Sequence, residues 1–291
     1  MQLTIFTPTF NRAYRLPALY ESLKKQTVKD FEWLVVDDGS QDETSALFEQ
    51  WIKETAFSVR YISQNNGGKH RAINYGVKEA HGKLFFIVDS DDWLTPDAVE
   101  KVLNNYEKVS NQPNFAGICG MRAYSNGERV GENESFETYA CSLFDFRYKY
   151  NIYGDLAEVY LTEILARYPF PDVDGEVFCP EALVWHKIAK KYKLLFFNEN
   201  IYICEYLPDG LTVNSLLHRI KSPVYSMLTY EEVWHSPIPL IKRCKGAISF
   251  WRFHFHCPSE KRYTGKVSRF FMLPGFIAYW RDCQTLRKSR K

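Results

Sequence analysis

The chain has 291 residues, 45% hydrophobic, 25% charged and 16% aromatic, with 15 Gly and 13 Pro, a composition that excludes disorder, a collagen repeat and a coiled coil. Its net charge of +2 conceals two unlike parts: residues 1–215 carry 22 Lys and Arg against 31 Asp and Glu, and residues 216–291 carry 15 against 4. No stretch reaches the ~18 uncharged apolar residues of a membrane span, and the seven scattered cysteines form no Cys-x-x-Cys pair, so a cytoplasmic protein is expected that neither spans a membrane nor is secreted.

In chain order, residues 3–7 form a short apolar strand expected to stop at Pro8, and Asn11 is placed to cap a helix through Leu16, Leu19, Tyr20 and Leu23. A strand at 31–36, a helix at 44–54, a strand at 59–62, a helix at 69–79 and a strand at 84–88 follow. Asp92 or Thr95, ahead of Pro96, is placed to cap the next helix, through Val99, Val102 and Leu103. Strands alternating with helical periods predict an α/β fold with a mostly parallel sheet. Further on, a helix is expected to start at Pro180 and Glu181, a strand to cover 194–202, and helices to cover 224–234, 238–255 and 266–286. The expected organisation is an α/β domain over 1–215, with halves 1–110 and 111–215, then a basic, mainly helical region over 216–291.

Ligands of open α/β sheets bind beyond the carboxyl ends of the strands. Here those ends read Thr7-Pro8-Thr9-Phe10-Asn11-Arg12, Asp37-Asp38-Gly39-Ser40, Gln64-Asn65-Asn66-Gly67-Gly68-Lys69 and Asp89-Ser90-Asp91-Asp92. No Gly-x-Gly-x-x-Gly and no Gly-Lys-[Ser/Thr] loop is present, which argues against a dinucleotide oxidoreductase and a P-loop phosphotransferase. Asp89 and Asp91 alternate onto one side of an extended chain. Their clustered oxygens suit Mg²⁺ or Mn²⁺, a metal that usually bridges to phosphates. Lys69 and Arg71 lie at a helix start, where exposed amides favour anions.

Together these segments resemble the family 2 glycosyltransferases, inverting enzymes of the GT-A fold that use a nucleotide-activated sugar. The resemblance rests on the four strand-end segments, on Val36 and Gln41-Asp42 around the second, and on Asn74-Tyr75-Gly76. It implies that 1–215 is a GT-A catalytic domain with a donor half 1–110 and an acceptor half 111–215, and a donor site in which Thr7, Pro8 and Asn11 edge the nucleotide pocket, Asp38, ahead of Asp37, holds the base, and Asn66 lines the pocket. Asp89 and Asp91 look like the first and last acids of the family's Asp-x-Asp motif, Asp89 near the ribose and Asp91 on the divalent metal, with Asp92 a secondary candidate. Many relatives carry Arg-Asn-x-Gly where this chain has Ile73-Asn74-Tyr75-Gly76, so the missing arginine's electrostatic work is assigned to Lys69 or Arg71.

The resemblance also implies a carboxylate base from the later half. Glu181 is favoured, with Glu176 and Asp174 behind it, although an acid at a helix start also has a purely structural reading. His218 is a candidate for the metal or diphosphate, while a lone helical histidine is more often structural. Tyr206-Leu207-Pro208-Asp209-Gly210-Leu211-Thr212 resembles a loop near the acceptor side, and His254 and His256 read as surface residues rather than a metal pair.

The tail contains Phe270, Phe271, Leu273, Phe276, Ile277, Tyr279 and Trp280 and ends in Arg287-Lys288-Ser289-Arg290-Lys291. It suits peripheral contact with the inner face of the cell membrane, packing on its own domain, or a homodimer contact; no nucleic acid is expected. Two functions are carried forward. One is an inverting, metal-dependent transfer of a hexosyl or N-acetylhexosaminyl group from a nucleotide-sugar, foremost a UDP-sugar, to a glycan or lipid-linked acceptor of bacterial surface polysaccharide. The other is a noncatalytic nucleotide-sugar-binding or assembly protein of the same fold.

Overall fold

The structure, a computed structural model, describes residues 1–131, 136–205 and 214–288; the Tyr206-to-Thr212 loop lies outside them. In chain order its elements are β1 (Leu3–Thr9), α1 (Leu16–Lys24), β2 (Phe31–Asp37), α2 (Thr44–Glu54), β3 (Ser58–Ser63), α3 (Lys69–Glu79), β4 (Leu84–Ile87), β5 (Trp93–Leu94), α4 (Ala98–Glu107), β6 (Phe115–Ala123), β7 (Thr138–Cys141), α5 (Leu143–Tyr148), β8 (Leu156–Leu161) and α6 (Thr162–Arg167). They continue with α7 (Ala182–Ala189), β9 (Lys193–Ile203), α8 (Ser215–Lys221), α9 (Pro223–Trp234), α10 (Leu240–His256) and α11 (Met272–Lys288).

The chain divides into two compact units, residues 1–169 with 191–206 and residues 170–190 with 207–291. This division in packing differs from the division in charge at residue 215, because 170–190 groups with the C-terminal helices.

The first unit holds the sheet, ordered β3-β2-β1-β4-β8-β6-β9-β5, with β7 also on β9. β3, β2, β1 and β4 are parallel neighbours, so the crossover helices carry all four carboxyl ends to one edge. β8 runs antiparallel to both β4 and β6. Every residue of β1 and β2 is buried, as expected of strands covered on both faces. On one face Trp33 lies at the centre of an aromatic group with Phe48 and Trp51, ring centroids 5.1 and 5.8 Å away, and Tyr20 stacks on Trp51 at 4.3 Å. On the other face α3 packs closely against β1, for a Cβ at Gly76 would lie 2.1 Å from the Phe6 ring.

Three local expectations are corrected. β1 runs on through Pro8 to Thr9, because its pairing with β4 ends at Phe6↔Ile87 and the missing N–H costs no bond on that side. Asn11 does not cap α1: it adopts φ 51°, and the cap position falls to Arg15, without a side-chain bond. α4 starts at Ala98, after Asp97, so neither Asp92 nor Thr95 caps it; the Thr95 hydroxyl donates to Asp97 instead.

In the second unit, Val224, Met227, Phe250, Trp251 and Phe253 form the core where α9 and α10 meet. The Glu176 carboxylate accepts from the backbone N–H of Val224 and of Tyr225, each at 2.9 Å, an acid at the positive end of a helix. The Tyr225 hydroxyl donates to the Pro171 carbonyl and accepts from Val173 N–H, both at 3.0 Å, which binds the 171–176 segment to α9. Asp282 on α11 accepts from Arg252 Nε at 2.6 Å and pairs with His256 Nε2 at 3.0 Å. His256, expected at the surface, is thus an inward residue with a 7% exposed side chain.

Asp282→Asn is expected to destabilise the protein by about 3 kcal/mol, since it leaves the Arg252 charge uncompensated. Burial pushes the Asp282 carboxyl up, but His256 and Arg252 outweigh it and hold it below its ordinary value. The stabilisation is therefore present at neutral pH and is lost only as pH falls below the ordinary carboxylate range near ~4. Thermal unfolding of both proteins at neutral and acid pH measures it; equal melting temperatures at neutral pH would refute it.

Candidate active site

The loops after β1, β2 and β3 are bonded to one another. Asp38 is buried, and its carboxylate accepts from Gln64 Nε2 at 2.7 Å, Gly67 N–H at 2.9 Å and Gly68 N–H at 2.7 Å, while its own N–H donates to the Thr9 carbonyl at 2.8 Å. Gly39 has φ +87°, and a Cβ there would lie 3.1 Å from the Asn66 backbone nitrogen, so only glycine lets the second loop approach the third this closely. Asp37 accepts from Ser40 N–H at 2.9 Å and from the Tyr61 hydroxyl at 2.5 Å. Asn11 N–H donates to Ser40 Oγ and Asn11 Oδ1 accepts from Gln41 N–H, both at 2.8 Å, which ties the first loop to the second.

Thr7 and Pro8 are buried within β1, and the Thr7 hydroxyl accepts from the Trp33 indole at 3.0 Å; the exposed part of this rim begins at Phe10. Asn66 is exposed. Arg71 donates from its guanidinium to the Gly67 carbonyl and so braces the turn.

At the end of β4 stand the three acids. Lys69 Nζ lies 2.6 Å from Asp89 Oδ1. Burial pushes the Asp89 carboxyl up, but Lys69 and Arg122 outweigh it and hold it below the ordinary range. Asp91 is pushed up by burial and by Asp89, and Asp92 is pushed up to about 7 by the same causes. Lys69 and Arg122 thus face three carboxylates and offset only part of their charge.

Asp92 is buried and accepts from the Tyr202 hydroxyl at 2.7 Å and Glu205 N–H at 3.2 Å. The same hydroxyl accepts from Asp89 N–H at 3.0 Å, and the Arg122 guanidinium sits 4.0 Å from the centre of the Tyr202 ring. Arg15 pairs with Glu205 at 2.5 Å, so the first loop joins the network. Sequence reasoning missed Arg122, Tyr202 and Glu205. Arg122 alone left a signal, an arginine inside the otherwise apolar run 115–123.

Among the described residues no three His, Cys, Asp or Glu side chains form a group that could hold a metal ion. Asp89 and Asp91 offer hard carboxylate oxygens of the kind that suits Mg²⁺ and related ions.

The remaining candidates lie in the second unit. Glu181 precedes α7 at its cap position without a side-chain cap bond. Glu176 spends both oxygens on α9, and Asp174 is exposed, its carbonyl accepting from Lys261 at 3.2 Å. His218, on α8, stacks on Phe178 with ring centroids 5.4 Å apart; burial and Lys221 hold its pKa below the ordinary value. Asp89 and Asp91 belong to the first unit.

A sequence model described as glycosyl transferase family 2 matches residues 4–161, more than half of the chain. The chain belongs to that family. The human dolichyl-phosphate beta-glucosyltransferase is 33% identical over 156 residues, 50% of this chain and 48% of that one. Poly(ribitol-phosphate) beta-N-acetylglucosaminyltransferase TarS of Staphylococcus aureus is 26% identical over 186 residues, 63% of this chain and 30% of that one. The chain thus spans less than half the length of these curated relatives. In fold, S. aureus TarS 1–349 in complex with UDP-GlcNAc matches with a TM-score of 0.66 at 20% identity, over 96% of this chain and 79% of that one. Mannosyltransferase PcManGT from Pyrobaculum calidifontis, in complex with GDP-Man and Mn²⁺, matches with a TM-score of 0.56 at 16% identity, over 95% and 73%. The fold is GT-A.

Tyr202→Phe is expected to lose about 1–3 kcal/mol of stability, because the Asp92 carboxylate and Asp89 N–H are left buried without their shared hydroxyl. Denaturant unfolding would show the loss, and an unchanged midpoint would remove Tyr202 from this role.

Proposed function

We propose that the chain is an inverting glycosyltransferase that moves a sugar from a nucleotide donor, foremost a UDP-sugar, to a hydroxyl of a glycan or lipid-linked acceptor of bacterial surface polysaccharide. The observation that carries this reading is the meeting of the Asp38-bound loops with Asp89, Asp91 and Lys69 at one edge of a parallel sheet. The nucleotide-sugars held by the fold neighbours, UDP-GlcNAc and GDP-Man among them, support a nucleotide-sugar donor.

The donor set suits a divalent cation. Asp91, with Asp89 beside it, would hold Mn²⁺ or Mg²⁺, which when bound supplies positive charge to the departing nucleoside diphosphate. The chain's own residues do the rest. α3 has no acid in its first turn and begins with Lys69 and Arg71; cations there oppose the helix dipole, an arrangement that suits an anionic ligand at the same place. Asp38 and Asn66 would meet the nucleoside, Asp38 mainly by shaping the loop through Gly67 and Gly68. Asn11 fixes the rim against Ser40. Glu181 is assigned the proton of the acceptor hydroxyl, with Asp174 the next candidate and Glu176 the carboxylate that positions their segment. His218 is assigned to the diphosphate side.

Calorimetric titration of UDP is expected to show affinity at least about tenfold higher with Mn²⁺ than without, and the gain is expected to vanish in Asp91→Asn. Failure to bind UDP, GDP, CMP or dTDP would favour the noncatalytic reading. Glu181→Gln is expected to lower kcat by roughly 10²–10⁴ with donor binding intact; full turnover by this variant would take the base role from Glu181.

A further inference from the structure

α11 has two unlike faces. Asp282 and Gly275 point to α10: Asp282 pairs with Arg252 and His256, and a Cβ at Gly275 would lie 2.4 Å from the Trp251 Cβ. Opposite them, at helical spacing, Leu273 is 69% exposed, Ile277 46% and Trp280 55%, with Phe276 beside them and Phe270, just before the helix, 81% exposed. A soluble helix normally turns such a stripe inward, and a contiguous exposed apolar group marks an interaction surface.

The charges around the stripe have one sign. Asp282 is the only acid of α11 and is buried, while Arg281 and Arg287 on this helix and Arg269 and Lys266 ahead of it are exposed. Large apolar side chains bordered by exposed cations, with an aromatic indole among them, match a helix lying in the plane of an anionic lipid surface. Among the described residues no helix is long and apolar enough to cross a membrane.

We propose that the exposed face of α11, with Phe270, docks on an anionic phospholipid surface. Leu273, Ile277 and Trp280 enter the boundary of headgroup and acyl chain, and Arg269, Arg281 and Arg287 meet the lipid phosphates. A second copy of this chain is a poorer occupant, because it would bring the same positive charges against these.

The test is cosedimentation of the full chain with vesicles of phosphatidylcholine alone and of phosphatidylcholine mixed with phosphatidylglycerol. Binding is expected to the mixed vesicles, with about a fivefold loss for Arg281→Glu and more than about a tenfold loss for Leu273→Glu with Ile277→Glu. These positions are exposed, so circular dichroism and UDP titration of the variants should match the parent. That control also separates failure of this surface from failure of the donor site. The idea is overturned if the parent stays in the supernatant with both vesicles or if the double variant binds as well as the parent. It is equally overturned if sedimentation equilibrium reveals a dimer that the double substitution dissolves while no vesicle is bound.

Discussion

Three carboxylates within four residues, set at the end of a buried strand, impose the constraint around which the first unit is arranged. Full ionisation of all three in that setting is costly, and the chain distributes the burden unequally. Asp89 takes Lys69 as a counter-ion, Asp92 takes hydrogen bonds from Tyr202 and Glu205, and Asp91 is left raised by its neighbours. Each partner comes from a different place: α3, the end of β9 and the chain just beyond it. The cluster therefore exists only when the sheet is assembled. A divalent cation at Asp91, as proposed above, would offset charge that Lys69 and Arg122 leave unbalanced.

The neighbouring loops follow a second logic, in which acids serve as backbone organisers. Asp38 gathers three donors from 64–68, Asp37 holds Ser40, and Asp42 accepts from Ala13 N–H and from Thr44. An acid that binds backbone N–H groups shapes the loop that a ligand later touches. The double acid Asp37-Asp38 thus has a structural task that coexists with any contact to a base.

Much of this was readable in the sequence, and the failures have physical causes. Residues 44–54 and 69–79 form helices with the expected bounds because a polar strand end precedes each and an apolar stripe fills it. The end of β1 was misplaced because a proline is excluded only where its N–H would have been used. Asn11 and Asp92 were assigned local caps, but both serve distant partners. Asp92 meets Tyr202 across 110 residues, a pairing created by the short β5 lying antiparallel on β9, with Trp93 opposite Ile203, in a ladder that periodicity does not encode. Tyr202 was hidden for the same reason, and the partner of Arg122 was hidden with it, since the β6–β9 ladder sets the two opposite each other.

The second unit settles its acids differently, and this decides the character of its surface. Of the four acids in residues 216–291, Glu231 accepts from the Tyr263 hydroxyl at 2.7 Å and from Lys266 N–H, Glu232 pairs with Lys190, and Asp282 holds Arg252 and His256. Three of the four are thus spent on internal contacts. The bases outnumber them and lie mostly at the surface, so the positive balance seen in composition becomes a positive field outside the helices rather than a charge neutralised within them. The position of α11 is in keeping with this: Asp282 facing Arg252 and His256, and Gly275 packed against Trp251, fix the face turned to α10, and Leu273, Ile277 and Trp280 lie on the opposite one. The Arg252–Asp282–His256 contact and the Gly275–Trp251 approach together keep that stripe presented to whatever lies outside.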